Sequence, residues 1–358
     1  MDAKDGCALR TWLLRIAAWL AAIPYVVVFV LVIAGPATWS GVAYVLALGA
    51  IIVGLATLPL RGAKRPRRRG VTRGGVAALA AVACMRCCTA NDGESMHLTD
   101  ARGASPRLVD RLLDEADVAV AGTRVLTMSG LLRDDARELP TAMQAAYAEM
   151  RHAEGDAPSP VIGTYLGLQR PSAFDLVVID PPEEAAAHAD VAVVFLHGFA
   201  GAFDLPCWQM ARAVGPLGIV TACPSTRWLG DWWSADGQAI LRRTVDFLRS
   251  RGVSRVVLAG LSNGGHGASL LATRMRGTFS ALVLISGAAA DAQPPGIPVL
   301  VIHGTKDTMA SSQAARAYAA RSGARFVALD AGHFAMLVRG AEHDGAVRDF
   351  IRTHLGLS

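Results

Sequence analysis

The sequence of 358 residues is poor in charge (18% Asp, Glu, Lys and Arg), poor in aromatics (6%) and holds six cysteines. With 52% hydrophobic residues, low hydrophobicity and high net charge are both absent, which excludes disorder for most of the chain. Six cysteines are too sparse for a miniprotein built on disulfides. No phosphate loop, dinucleotide fingerprint or metal-ligand constellation appears. The longest absence is of charge: Ile16 to Leu60 contains no Asp, Glu, Lys or Arg.

A helix crossing ~30 Å of hydrocarbon needs about 20 residues, so that run holds two spans, about 13–34 and 38–60, with a turn at Gly35, Pro36 and Thr38. Trp12, Trp19, Tyr25 and Trp39 are placed as interfacial anchors. The run is far longer than the ~7–15-residue core of a cleaved signal peptide. A mean hydropathy of +0.35 agrees with a chain partly in lipid. The net charge of +5 is local: Arg61, Lys64, Arg65, Arg67, Arg68, Arg69 and Arg73 fall in one stretch, and without them the remainder is slightly acidic. Beside a span, such a cluster reads as a topology signal and a contact for anionic lipid, so no nucleic-acid partner is expected. With Lys4, Arg10 and Arg15 before the first span, both ends of the hairpin fall on the cytoplasmic side.

A third apolar segment, 74–90, leaves two readings open. It is short for a span and ends in Arg86, Cys87 and Cys88, yet basic residues, an apolar run and Ala81-Val82-Ala83 resemble an export signal. If it crosses, the rest of the chain is extracytoplasmic; the balance leans that way. Residues 1–90 are thus expected to be a membrane anchor, with the bilayer as a partner and Cys84, Cys87 and Cys88 incidental. Residues 91–160 turn polar, with helical patterns around Leu108–Leu113 and Leu139–His152, and read as a helical connector without legible chemistry.

From residue 161 onward short apolar runs alternate with helical patterns. A hairpin of Val161–Gln169 and Phe174–Ile179 is expected, then strands at Val191–Leu196, Gly218–Ala222, Val256–Ala259, Ala281–Ile285, Val299–Ile302 and Arg325–Leu329. Helical patterns fall at Gln238–Arg251, Gly265–Arg276, Ser311–Arg321 and Gly340–His354. Such alternation predicts an α/β, doubly wound, mostly parallel eight-stranded sheet with reactive residues on loops at the carboxyl ends of strands.

Those loops carry Gly260-Leu261-Ser262-Asn263-Gly264 between a strand and a helix, then Asp307 after an apolar strand, then His333 after the last strand. Glycines flank a serine where a strand must reverse sharply into a helix, and the order Ser, Asp, His follows. With Phe195-Leu196-His197-Gly198-Phe199 ending an earlier strand, residues 161–358 resemble an α/β-hydrolase, the dienelactone hydrolase and carboxylesterase branch in particular. The resemblance implies Ser262 as nucleophile, His333 as general base and Asp307 as its orienting acid. It also implies backbone N–H groups of Phe199 and Asn263 as an oxyanion hole.

The implied activity is hydrolysis of small-molecule esters or thioesters, with no cofactor. A serine peptidase of the same fold and a non-catalytic binding module are the alternatives. His197, His303 and His266 read as loop-supporting or packing residues. Phe203, Trp228, Trp232 and Trp233 follow strands near the nucleophile and are expected either to form an acyl or aryl pocket or to pack under the loop. The link from Ile285 to Val299 is too short for a lid, so an open site is expected. Thr308-Met309-Ala310 stands where relatives often carry Val-Pro. Cys207 and Cys223 both fall near the catalytic edge, close enough to bridge.

Overall fold

The computed structural model describes residues 3–33, 35, 37–57, 66–132, 135, 137–200 and 203–357. Pro36, the end of the expected second span at 58–60, and Arg61, Lys64 and Arg65 lie outside the described residues. The chain opens with three long helices, α1 (Ala3–Ile33), α2 (Trp39–Ala56) and α3 (Pro66–Thr89). Segments Thr11–Ile33, Trp39–Ala56 and Gly70–Thr89 are each long and apolar enough to cross a membrane. They run antiparallel in turn: Arg15 near the start of α1 donates to the carbonyl of Ala56 at the end of α2. A Cβ at Gly54, near the end of α2, would meet Thr72 near the start of α3.

Next come β1 (Met96–Asp100), α4 (Glu115–Met128), α5 (Leu139–Glu154), α6 (Val161–Tyr165), β2 (Asp175–Ile179) and β3 (Val191–Leu196). They are followed by α7 (Asp204–Val214), β4 (Val220–Pro224), α8 (Ala235–Ser250), β5 (Arg255–Leu261) and α9 (Asn263–Arg274). The chain closes with β6 (Ala281–Ile285), β7 (Val299–Gly304), α10 (Ser312–Ser322), β8 (Arg325–Leu329), α11 (Ala335–Val338) and α12 (Gly340–Leu355).

The eight strands form one sheet in the order β1-β2-β4-β3-β5-β6-β7-β8. Strand β2 is antiparallel to both neighbours, and the remaining pairs are parallel. Strands β3, β5, β6 and β7 are buried almost throughout, which is why their sequences are apolar without alternation. One sheet face packs α4, α5, α7 and α12, the other α8, α9 and α10.

Two sequence expectations are corrected. Residues 161–169 are not a strand: Pro160 starts the single-turn helix α6, with Thr164 N–H donating to the Pro160 carbonyl. The partner of β2 is instead β1, with Met96 opposite Ile179 and Asp100 opposite Asp175. Segment 91–160, expected as a separate connector, therefore supplies an edge strand and two helices to the same core, with Met96, Leu98, Leu139 and Tyr147 buried in it. No helix lies between β6 and β7.

Candidate active site

Ser262 sits on the turn from β5 to α9 with φ +57° and ψ −118°, a conformation that non-glycine residues seldom adopt. The turn closes because glycines flank it. A Cβ at Gly260 would strike the backbone of Gly264, and one at Gly264 would strike the carbonyl of Leu196. The Ser262 N–H donates to the carbonyl of Ile285 at 2.8 Å, tying the turn to β6.

His333 lies after β8 and is 5% exposed. Its Nδ1 is 2.9 Å from Asp307 Oδ2 and 3.1 Å from Oδ1. The backbone N–H groups of Met309 and Ala310 donate to Asp307 Oδ1 at 2.8 and 2.9 Å. The acid loop thus spends two amides on holding the carboxylate, which a proline at position 309 would reduce to one. Burial pushes the Asp307 carboxyl up, but the hydrogen bond and charge of His333 and the Ala310 N–H outweigh it and hold it below the usual range. His303 is buried with Nε2 3.4 Å from Asp307 Oδ2; burial lowers its pKa against the opposing pull of the Asp307 charge.

The two amides expected at the oxyanion lie on the turn after β3 and at the start of α9. The Asn263 N–H belongs to the first turn of α9, where a helix supplies no partner of its own. The turn holding Phe199 passes close to Ser262: a Cβ at Gly198 would lie 3.1 Å from Ser262 Cβ. Residue Ala200 takes φ +43° and donates its N–H to the Trp228 carbonyl at 2.7 Å, and the Asn263 side chain donates to the Leu229 carbonyl at 2.8 Å. The loop after β4 thereby braces both halves.

Behind that turn His197 is buried, with Nδ1 donating to the Gly198 carbonyl at 2.8 Å and Nε2 accepting from Thr226 N–H at 3.1 Å. Burial pushes its pKa down to about 4, so the ring is a neutral strut.

Ser262 and His333 open into one cavity of about 390 Å³, within the ~300–1,000 Å³ usual for small-molecule sites. Phe199 lines it, but Phe203, Trp228, Trp232 and Trp233 do not. Trp232 is fully buried and donates Nε1–H to the His197 carbonyl at 2.9 Å; Phe203 packs on the His197 ring. Trp233 packs on His266, and Trp228 leans on Phe199 from outside. These aromatics support the loops. The pocket wall comes instead from α4 and from residues around α11, so the site expected to be open is covered on one side by a helix from the preceding segment.

Two acids of that segment reach the site, and neither carried a motif. Asp135 accepts from the N–H groups of Gly332 and Phe334, on either side of His333. Glu115 accepts from the N–H groups of Asp204 and Leu205 at the start of α7 and from Tyr147 and Ser159 hydroxyls. On the neighbouring elements Cys207 of α7 and Cys223 of β4 form a disulfide. Among the described residues no group of three or more His, Cys, Asp or Glu side chains is placed to hold a metal ion.

No model of a known protein family matches the chain, and no curated protein matches it. Solved structures do. An α/β serine hydrolase without a lid from Xanthomonas campestris is 22% identical, with a TM-score of 0.43, over 51% of this chain and 89% of that one. Est1E from Butyrivibrio proteoclasticus is 17% identical, with a TM-score of 0.44, over 51% and 95%. Thermogutta terrifontis esterase 2, phosphorylated by paraoxon, is 17% identical, with a TM-score of 0.43, over 52% and 91%. The strand order of this chain, the strained serine on a strand-to-helix turn and the order Ser, Asp, His give it the α/β-hydrolase fold.

Proposed function

We propose that this protein is a membrane-anchored serine hydrolase that cleaves carboxylic esters or thioesters through an acyl-enzyme. One observation carries the reading: a strained Ser262 shares a cavity with His333, whose other ring nitrogen is 2.9 Å from a buried Asp307. Ser262 Oγ attacks the substrate carbonyl while His333 Nε2 takes its proton, and Asp307 stabilises the imidazolium. The N–H groups of Phe199 and Asn263 donate to the developing oxyanion, worth roughly 3–4 kcal/mol per donor in other hydrolases. Collapse breaks the bond to the alcohol or thiol, which leaves with the proton from His333. Water then enters, loses a proton to His333 and releases the acid, restoring Ser262.

The anchoring part of the proposal rests on the three apolar helices and on where they meet the α/β part. The turn between α1 and α2 contacts α4 through Thr38 and Asp117, and the end of α3 is ion-paired to the α/β side through Arg86 and Asp156. Both contacts lie at the end of the bundle away from the start of α3, which carries Arg67, Arg68, Arg69 and Arg73. With basic residues inside, the α/β part falls outside the cytoplasm, a placement that the Cys207–Cys223 disulfide favours.

An aryl ester and the matching peptide anilide, offered to the full chain in detergent, test the chemistry. Ester turnover that vanishes in Ser262→Ala, with the anilide cleaved far more slowly, is the expected result. Anilide cleavage at a comparable rate would make it a peptidase, and ester turnover retained by Ser262→Ala would overturn the mechanism.

A further inference from the structure

Helix α4 has two faces with different neighbours. Ala119, Gly122 and Leu126 look into the cavity that holds Ser262. On the other side, Asp117 accepts from Thr38 N–H at 2.8 Å and from the Thr38 hydroxyl at 2.6 Å, and Arg124 donates to the carbonyl of Leu31 at 3.1 Å. Leu31 is in the last turn of the apolar segment Thr11–Ile33, and Trp39, 48% exposed, starts the next one. The cavity wall is therefore fastened to the edge of the apolar bundle, at the depth where a bilayer meets water.

The rim is apolar and uncovered. Val125, Phe199 and Met309 all line the cavity and are nearly half exposed, and the apolar surface continues along α4 to Met128 and on to Leu131, 79% and 61% exposed. Inside, the carboxylate of Glu115 is filled by amide and hydroxyl donors and offers nothing to a polar headgroup. Gly122 sits mid-helix, where glycine weakens a helix, and a Cβ there would meet nothing within 4 Å. The residue leaves space in the cavity that a side chain would occupy.

From this juxtaposition we infer that the cavity takes the long acyl chain of an ester lipid drawn from the bilayer in which the spans sit, with the scissile carbonyl at Ser262 and the headgroup left at the rim. This rests on the serine hydrolase reading and names its substrate class.

The test uses the full chain in vesicles of an ether-linked phosphatidylcholine, which offers no ester to cleave. 4-Methylumbelliferyl oleate dissolved in those vesicles is compared with 4-methylumbelliferyl butyrate in the same suspension, and labelling by a fluorophosphonate is followed in parallel. The expected result is kcat/KM about tenfold or more higher for oleate, with a rate that follows the mole fraction of oleate in the vesicle and not its bulk concentration. Gly122→Leu, which fills the open space, lowers the oleate-to-butyrate ratio about tenfold while the labelled protein remains folded. Gly122→Ala, adding one methyl, lowers it less.

Labelling with butyrate cleaved as well as oleate, or a ratio unmoved by Gly122→Leu, overturns the lipid inference and leaves the hydrolase reading standing. A rate that follows bulk concentration overturns delivery from the bilayer. Absence of both labelling and turnover in the folded protein overturns both.

Discussion

The carboxylate of Asp135 grips the backbone on both sides of His333: Gly332 N–H donates to Oδ1 at 2.6 Å and Phe334 N–H to Oδ2 at 3.2 Å. Position 332 is a glycine because a Cβ there would lie 2.5 Å from that carboxylate. In the proposed mechanism Asp135 is a positioning residue for the imidazole, acting through the peptide and not on substrate. Asp135→Asn keeps the shape but replaces one acceptor with a donor facing an N–H. The expected outcome is a fall in kcat of about tenfold with KM little changed, since a misplaced base costs rate before it costs binding. A loss of stability with unchanged kcat in the folded fraction would contradict this role.

Glu115 does the corresponding work on the other half of the site, holding the start of α7 just after the turn that carries Phe199. It is 3% exposed and each oxygen has partners. Glu115→Ala leaves the Tyr147 and Ser159 hydroxyls and two amides without their acceptor and is expected to destabilise the protein by about 3 kcal/mol or more. Chemical denaturation of the detergent-solubilised variant checks it.

The disulfide between Cys207 and Cys223 closes a loop with a sequence separation of 16. Replacing both cysteines by serine is expected to remove about 3 kcal/mol of stability. For a domain of this size that lowers Tm by roughly 6–12 °C, read by a thermal shift with and without reductant. Equal Tm values for wild type and the double variant would mean that the bond adds nothing to the fold.

Asp110 is 1% exposed and lies beside a second buried carboxyl, Asp175. Burial, reinforced by the neighbouring Asp175, raises its pKa well above the ordinary carboxylate value of about 4. The folded state therefore holds this proton more tightly than the unfolded chain. The resulting stability is fully present below about pH 4 and is lost as pH rises through the elevated folded-state value toward neutrality. Asp110→Asn removes that titration, so the decline of Tm between pH 5 and 8 is expected to be shallower in the variant.

Much of this site was legible because strand ends and chemistry coincide in the chain: Ser262 and Asp307 follow the continuous apolar runs of the buried strands β5 and β7, and His333 follows the short run Phe326–Leu329 of the more exposed β8. The residues that place them were not. Asp135 and Glu115 act on backbone amides far away in sequence, and a carboxylate in a polar stretch looks the same whether it caps a distant loop or faces water. Strand β1 escaped because five residues with only Met96 and Leu98 buried give a short alternation inside a charged segment, while Val161-Ile162 looked more strand-like and formed α6 after Pro160. Trp228, Trp232 and Trp233 follow the right strand for a pocket, but which side of a loop an indole takes depends on neighbours such as His197 and His266 that only the folded chain brings near.

The proposed hydrolysis requires Ser262 to be an activated nucleophile. Treating the full chain in membranes with a fluorophosphonate and measuring the adduct by mass spectrometry tests it most directly. The expected result is one phosphonyl group on the peptide containing Ser262, absent in Ser262→Ala and strongly reduced in His333→Ala. A folded wild-type protein that takes up no label, or takes it up equally without Ser262, would contradict it.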